Sequence, residues 1–207
     1  MTKIAITGGI GSGKSYVCRL IERRGISIYD CDAAAKRLMR TSETLRQQLT
    51  ALIGPGTYSG TPDGQWRLNK AAVAQFLLLS EENAGAIDAI VHPAVARDFE
   101  QSGLQWMECA ILYESGFDRL VDCVIAVTAD EQVRIRRIME RDHISQDAAR
   151  QWIGRQWPQE QVAGRADFVI RNNGTGTADI EQQITSILGN IQNSTFKTQH
   201  SKCSRQS

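Results

Sequence analysis

The chain has 207 residues, of which 42% are hydrophobic and 23% charged, and its formal net charge is +1. These values are typical of a globular protein, and the small net charge argues against a strongly basic surface that binds nucleic acid. No apolar run reaches the roughly 18 residues needed to span a membrane, and the amino terminus lacks a signal-peptide pattern. We therefore expect a cytoplasmic protein without nucleic-acid or membrane partners.

The first predicted element is an apolar strand at residues 3–7, followed by a glycine-rich loop and a helix. The loop has the G-x-x-x-x-G-K-S pattern, Gly8-Gly9-Ile10-Gly11-Ser12-Gly13-Lys14-Ser15. In such a loop, backbone N–H groups surround phosphate oxygens, the lysine reaches the outer phosphates and the serine hydroxyl binds Mg²⁺. The pattern predicts a nucleoside triphosphate site in which the backbone from Gly9 to Tyr16 takes part.

The second predicted strand, residues 27–29, leads into Asp30-Cys31-Asp32. If the chain stays extended, both carboxylates face one side at the carboxyl end of the strand, where open parallel sheets bind ligands. A carboxylate there can accept the proton of an attacking hydroxyl, or hold Mg²⁺ directly or through water. The alternative is that the two aspartates cap the helix that follows.

The connection between the second and third strands is far longer than one crossover helix requires. It contains predicted helices near residues 33–39, 44–53, 71–79, 81–91 and 94–101, interrupted by a turn-rich patch from Gly54 to Gly64. We therefore predict an inserted helical subdomain. His92-Pro93 falls between its last two helices, where Pro93 is suited to open the next helix. His92 either contacts a substrate or is structural.

The third predicted strand covers residues 107–113 and is followed by Glu114, which is either a surface acid or lies near Mg²⁺ and its waters. Glu108, inside the same strand, suggests no clear role. Two further strands are predicted at residues 122–128 and 167–171. Strands that alternate with helices predict a parallel sheet covered by helices on both faces.

A helical excursion at residues 132–164 is rich in arginine. Arg134, Arg137 and Arg141 share one helix face, and arginines can stabilise charge on a migrating phosphoryl group from a mobile lid. The alternative is a solvated face. We favour Arg141 because it ends the helix just before a turn.

The last predicted helix carries Ile180, Ile184 and Ile187 on one face, and the polar tail at residues 193–207 is expected to be disordered. The cysteine count is odd, and no C-x-x-C pattern occurs. We expect reduced, buried thiols rather than disulfides or a zinc site. The cysteines are Cys18, Cys31, Cys109, Cys123 and Cys203.

In this order, the motifs resemble those of the dephospho-coenzyme A kinase family. The resemblance covers about residues 2–190 and rests on the glycine loop, Asp30-Cys31-Asp32, His92-Pro93, Ile111-Leu112-Tyr113-Glu114, the arginine helix, Gln156 and Ala166-Asp167-Phe168-Val169-Ile170-Arg171-Asn172-Asn173-Gly174. One departure is Tyr16, where the family usually has threonine. Its backbone N–H can still face a phosphate, but its side chain must find room.

The resemblance implies a P-loop NTPase-type fold with a five-stranded parallel sheet and helices on both faces. The core would comprise residues 1–32, 104–131 and 165–192. Residues 33–103 would be a helical insertion that binds the coenzyme A precursor, and residues 132–164 a helical lid. The implied reaction uses ATP and Mg²⁺ to phosphorylate the ribose 3′-hydroxyl of dephospho-coenzyme A.

The same resemblance implies roles for single residues. Asp32 would accept or orient the proton of the 3′-hydroxyl, and Asp30 would lie near Mg²⁺ or the same hydroxyl, although which aspartate has which role stays open. Arg141 would reach the phosphates, while His92 and Glu114 would lie on the substrate side.

Two other functions remain as alternatives. One is a different small-molecule kinase, and the other is a nucleotide-dependent switch or binding module. The absence of an N-K-x-D motif disfavours a GTPase switch. We expect a monomer or a weak homo-oligomer.

Overall fold

A computed structural model describes residues 2–61, 66–174 and 176–203. The strands are β1 (Ile4–Thr7), β2 (Ile28–Asp30), β3 (Tyr58–Gly60), β4 (Trp66–Leu68), β5 (Trp106–Glu108), β6 (Cys123–Thr128) and β7 (Phe168–Arg171). The helices are α1 (Lys14–Glu22), α2 (Cys31–Thr41), α3 (Glu43–Ile53), α4 (Lys70–Leu79), α5 (Glu82–Ser102), α6 (Glu131–Asp142), α7 (Gln146–Gly154), α8 (Gln159–Arg165) and α9 (Thr177–Cys203). The chain divides into two compact units, residues 1–28 with 105–207 and residues 29–104.

The main sheet has five strands in the order β2-β5-β1-β6-β7. β1 is parallel to both β5 and β6, with Ile4 opposite Trp106 on one side and Cys123 on the other. β7 continues the sheet in parallel beside β6. The predicted five-stranded parallel architecture is therefore confirmed. Parallel strands end at a common edge, and the loop that follows β1 lies at this edge.

The core of the first unit forms because its central strands β1 and β6 are apolar at every position before their final threonine. In β6, residues 123–127 are all buried, although successive side chains point to opposite faces. Both faces of the sheet are therefore covered, as in parallel sheets generally. The buried cluster around β1 and β6 takes Val17 and Ile21 from α1 and Ile180 and Ile184 from α9. The isoleucine pattern of the last helix is its buried face, as predicted.

The third strand is shorter than predicted. β5 ends at Glu108, and residues 110–116 form turns, followed by a 3₁₀ helix at Phe117–Leu120. The apolar run Ile111-Leu112-Tyr113 is therefore not a strand. Its central residue Leu112 is fully buried, whereas Ile111 is 37% exposed. A turn can thus produce the same apolar signal as a strand end.

The second unit contains α2 to α5 and a two-stranded antiparallel sheet formed by β3 and β4. The sequence suggested only turns in this region. Gly56 belongs to the stretch before β3, whereas Asp63-Gly64 lies outside the described residues.

The predicted break at His92-Pro93 is wrong, because α5 runs continuously from Glu82 to Ser102 with Pro93 inside it. Burial of Val91 and Val95 on either side of Pro93 anchors the helix through this position.

An ion-paired network joins the start of this unit to α5. The Tyr29 hydroxyl donates to Asp98 at 2.7 Å, and Arg37 Nη2 donates to the same oxygen at 2.6 Å. Burial would raise the pKa of Asp98, but the hydrogen bonds from Tyr29 and Arg37 and the charge on Arg37 outweigh it and lower that pKa. The tyrosine ring also packs on Phe99, with ring centroids 5.3 Å apart. These contacts fix the chain just before Asp30.

Helix α9 extends past the predicted start of the tail. It reaches Cys203, so the helix includes residues 193–203, where disorder was expected. No glycine or proline occurs between Ile191 and Cys203, so nothing in the local sequence ends the helix. Residues 204–207 lie outside the described part of the chain.

Cys18, Cys31, Cys109 and Cys123 are free and buried. Burial comes first in raising the pKa of Cys123 to about 12, which keeps the thiol protonated. In the residues that the structure describes, no helix is long and apolar enough to cross a membrane.

Replacing Ile184 with alanine tests the packing of α9 on the sheet. Ile184 is 1% exposed, and we expect the free energy of unfolding to fall by about 2–4 kcal/mol because the variant leaves a cavity. Ser186→Ala, at an exposed position on the same helix, is the control and should change it by less than about 0.5 kcal/mol. Equal denaturant midpoints for both variants would contradict the assigned packing.

Candidate active site

The glycine loop connects β1 to α1, as its sequence predicted. Gly11 and Gly13 adopt left-handed backbone conformations, with φ of +78° and +86°. Gly13 immediately precedes α1, so the loop ends at the positive pole of a helix. A helix start reached through such a loop is suited to bind an anion.

Side chains from outside the loop hold its carbonyl groups. Arg134 Nε donates to Ile10 O at 2.9 Å, and Arg137 Nη1 donates to Gly11 O and Ser12 O, both at 3.2 Å. Asn172 Nδ2 also donates to Ser12 O at 3.0 Å, and its Oδ1 accepts from Arg137 Nη2 at 3.2 Å. The predicted arginine helix therefore contacts the loop, but through backbone carbonyl oxygens.

Gln156 contacts the other side of the Ile10 residue. Its Oε1 accepts the Ile10 backbone N–H at 2.7 Å. A Cβ at Gly9 would lie 2.6 Å from Arg134 Nη2 and 3.2 Å from Gln156 Oε1. A larger residue at position 9 would therefore displace the ends of the Arg134 and Gln156 side chains.

Lys14 and Ser15 share one carboxylate, that of Glu108 at the end of β5. Lys14 Nζ forms an ion pair with Glu108 Oε1, and Ser15 Oγ donates to the same oxygen at 2.9 Å. Burial would raise the pKa of Glu108, but the charge on Lys14 and the hydrogen bonds from Lys14, Cys18 and Ser15 outweigh it and lower that pKa. The carboxylate is therefore ionised at neutral pH.

Glu108 is the residue that sequence reasoning missed. The available signal was an acid inside an apolar strand. Strand β5 is the neighbour of β1 and parallel to it, with Glu108 opposite Ile6. Their common direction brings the carboxyl end of β5 beside the loop that follows β1. The order of strands in the sheet, which the sequence did not specify, was needed to recognise its role.

The large side chain of Tyr16 is accommodated between α1 and α9. Its hydroxyl lies 2.7 Å from Thr177 Oγ1, and its ring packs against the core cluster. The Tyr16 backbone N–H donates to Gly13 O at 3.0 Å. A contact between this N–H and a phosphate stays a prediction.

The oxygen donors beside Lys14 suit Mg²⁺. Mg²⁺ prefers oxygen ligands and is usually held by one or two protein groups together with waters and substrate phosphates. Ser15 Oγ and Glu108 Oε1 are two such donors. Among the described residues, no group of three or more histidine, cysteine or acidic side chains is arranged to hold a metal by itself. The donor set therefore fits a metal that binds together with phosphates.

Strand β2 ends at Asp30 and helix α2 begins at Cys31, so the expected extended geometry from Asp30 to Asp32 is wrong. Asp30 is the N-cap of α2, and its Oδ1 accepts the Ala33 N–H at 2.9 Å. Asp32 lies in the first turn of α2, where its carboxylate pairs with Lys36 and is 79% exposed. The capping alternative therefore holds for Asp30, and both residues belong to the second unit.

Three other predicted site residues have partners outside the glycine loop. His92 lies inside α5, with Nε2 3.5 Å from Asp88 Oδ1. Glu114 lies in the turn after β5, and its Oε1 accepts the Trp157 N–H at 3.5 Å. Arg141 pairs with Asp142, and its side chain is 61% exposed. The structure thus joins Arg134 and Arg137 to the loop, whereas Arg141 has an acidic neighbour as its partner.

Residues 2–178 match the family model described as dephospho-CoA kinase. The chain belongs to the dephospho-CoA kinase family. The sequence resemblance to this family is thereby confirmed.

Relatives in this kinase family span nearly the same length. Dephospho-CoA kinase from Porphyromonas gingivalis is 41% identical over 179 residues, covering 83% of this chain and 86% of its own length. The enzyme from Chlorobium chlorochromatii is 34% identical over 188 residues, covering 86% and 89%. A solved structure from Thermus thermophilus has a TM-score of 0.76 at 28% identity and covers 92% of this chain and 97% of its own.

Gly13 provides a test of the loop in this family member. An alanine Cβ there would lie 2.1 Å from Asn172 Nδ2, in addition to the left-handed φ of +86°. We expect Gly13→Ala to abolish measurable nucleotide binding, because Asn172 must move away from Ser12 O. Gly25→Ala is the matched control, since Gly25 has φ of +84° and no atom within 4 Å of its added Cβ. It should cost about 1 kcal/mol of stability and leave binding unchanged.

Calorimetric titration measures the ATP affinity of both variants, and thermal unfolding measures their stability. Wild-type ATP affinity in Gly13→Ala would show that the close approach of Asn172 is not needed for the loop.

Glu108 should make stability depend on pH. The pKa of Glu108 is lower in the folded protein than in the unfolded chain. The ionised carboxylate therefore stabilises the fold at a pH above its unfolded pKa of about 4.3, and this stabilisation is lost as the pH falls through its folded pKa. Glu108→Gln should therefore melt at a lower temperature than wild type at pH 7. The difference should shrink steadily below about pH 4.

Melting temperatures between about pH 3 and pH 7 provide the measurement. Glu140→Gln, at an exposed position on α6, serves as the control. A constant difference between Glu108→Gln and wild type across this range would refute the assignment.

Proposed function

We propose that this chain transfers the γ-phosphoryl group of ATP to the ribose 3′-hydroxyl of dephospho-CoA, giving CoA and ADP in CoA biosynthesis. The observation that carries the proposal is the glycine loop with Lys14 and Ser15 on the partly buried carboxylate of Glu108, in a chain that matches the dephospho-CoA kinase family over residues 2–178. The family supplies the substrate, and the loop supplies the means of holding a polyphosphate.

On the phosphate side, the loop N–H groups and the start of α1 bind the anion. Lys14 exchanges Glu108 for phosphate oxygens and so brings its positive charge to the transferring group. When bound, Mg²⁺ supplies charge neutralisation for the phosphate oxygens, and Ser15 Oγ and Glu108 are the residues here that would hold it. Asp30 is a further candidate through water.

On the acceptor side, Asp32 is the better candidate for the group that accepts the hydroxyl proton. The Asp30 carboxylate already accepts the Ala33 N–H as a helix cap. The Asp32 carboxylate is exposed, and its partner Lys36 is exposed as well. An exposed ion pair contributes little to stability and can be exchanged for a substrate contact. We therefore assign proton acceptance to Asp32 and positioning to Asp30.

The remaining predicted residues complete the proposal. Arg141 would exchange Asp142 for phosphate when the lid, residues 132–164, closes and excludes water. The helical unit of residues 29–104, which contains His92, would bind dephospho-CoA, and Glu114 would lie on the substrate side. We further propose a cytoplasmic enzyme that is a monomer or a weak homo-oligomer.

A direct assay tests the reaction. Wild-type protein incubated with ATP, Mg²⁺ and dephospho-CoA should release ADP and 3′-phosphorylated product in equal amounts. We expect Asp32→Asn to lower turnover by about 100-fold or more while ATP affinity changes little, because only proton acceptance is lost. Lys14→Ala should instead reduce both turnover and ATP affinity.

Folded wild-type protein that binds ATP but yields no CoA would overturn the proposed function. Wild-type turnover in Asp32→Asn would show that another group accepts the proton.

A further inference from the structure

Three consecutive carbonyl groups of the loop accept hydrogen bonds from side chains outside it. The carbonyl oxygens of Ile10, Gly11 and Ser12 accept from Arg134, from Arg137, and from Arg137 together with Asn172. In a trans peptide, the carbonyl of one residue and the N–H of the next point in opposite directions. Holding these carbonyls therefore turns the N–H groups of Gly11 and Gly13 away from the side chains that hold them. The Ser12 N–H donates to Gly9 O at 3.1 Å within the loop.

The next peptide follows the same rule. Gly13 O accepts the N–H groups of Tyr16 and Val17, at 3.0 and 3.2 Å. The Lys14 N–H is thereby turned away from the interior of α1 as well. These peptide orientations decide which N–H groups the loop can turn toward an anion.

Of the two arginines that hold the loop carbonyls, Arg134 is the more buried, with a relative exposure of 5%. Burial comes first among the influences on its pKa and lowers it, despite the attraction of Glu131 and Glu160. Burying a guanidinium costs free energy, which hydrogen bonds and a nearby negative charge can offset. The Ile10 carbonyl provides one hydrogen bond at 2.9 Å.

Gln156 forms a second hydrogen bond to Ile10, the residue whose carbonyl oxygen Arg134 binds. It accepts the Ile10 N–H at 2.7 Å while Arg134 binds the Ile10 carbonyl oxygen. Both peptide groups that flank the Ile10 Cα are therefore fixed, one on each side. Rotation of either peptide would break a hydrogen bond to a partly buried side chain.

We propose that Arg134, with Gln156, is a positioning residue that prepares the loop for the β-phosphate by fixing the Ile10 peptides, and that it does not itself bind the γ-phosphate. The inference rests on the proposed function only in taking a nucleotide polyphosphate as the ligand. Arg134 then acts equally on every nucleotide whose β-phosphate the loop surrounds. A γ-phosphate contact would instead favour ATP over ADP.

The experiment compares the affinities of ATP, ADP and adenosine for wild type and for Arg134→Met by calorimetric titration and competition. We expect ATP and ADP affinities to fall by the same factor, about tenfold or more, because a charge-assisted hydrogen bond is lost. Adenosine affinity should not change, since it lacks phosphates. At saturating ATP, kcat should stay within about twofold while KM for ATP rises.

Two further variants control the experiment. Arg136→Met removes an exposed arginine from the same helix and should leave all three affinities unchanged. Arg134→Lys keeps the charge without the planar donor group, so its ADP affinity should lie between those of wild type and Arg134→Met. If Arg134→Met does not fold, Arg134→Lys is used instead, and its affinities for ATP and ADP should fall by the same factor.

Two results would overturn the inference: an ADP affinity that stays at the wild-type value while that for ATP falls, or unchanged affinities for both. The wild-type product assay separates this failure from failure of the proposed function. Wild type that binds ADP tightly but makes no CoA refutes the function alone, and an active wild type with the results above refutes the inference alone.

Discussion

A peptide group that presents its N–H to an anion must present its carbonyl oxygen to something on the other side. The glycine loop meets this constraint with hydrogen bonds from Arg134, Arg137 and Asn172. These residues come from α6 and from the end of β7, more than a hundred positions along the chain. The sheet order and the placement of α6 are therefore necessary for a loop whose own sequence covers only residues 8–15.

Sequence patterns predicted the features that depend on neighbouring residues. The strands at β1, β2, β6 and β7 are short apolar runs bounded by polar residues, and the buried face of α9 repeats at helical spacing. The G-x-x-x-x-G-K-S pattern identified the phosphate-binding loop because glycines are required there by backbone geometry. Such signals are local, and they were sufficient for the parallel α/β architecture.

The predictions of secondary structure failed where tertiary contacts decide between two conformations that the local sequence allows. Pro93 is tolerated within α5 because the buried residues Val91 and Val95 hold both sides of the helix. Asp30 and Asp32 fit a strand end and a helix start equally well, and α2 begins at once because Asp30 caps it. The run after Cys109 is apolar because Leu112 is buried in a turn.

Within the site, the glycine-loop motif predicted roles for Lys14 and Ser15. It suggested none for their shared partner Glu108, whose position depends on β5 lying beside β1. The contact of Arg134 with a carbonyl also differs from the expected contact of an arginine with phosphate. Spacing along a helix predicts which side chains share a face, but it does not specify what that face meets.

The pairing of Lys14 with Glu108 also affects which anions can enter the loop. Because Glu108 is attached to the same folded chain, it competes at a high effective concentration with any dissolved anion. A small anion that offers one contact gains little by replacing it. A polyphosphate replaces it through several contacts at once, with the loop, the helix start and the lysine together. We therefore expect ligands with several phosphates to displace the tethered carboxylate more readily than a single small anion does.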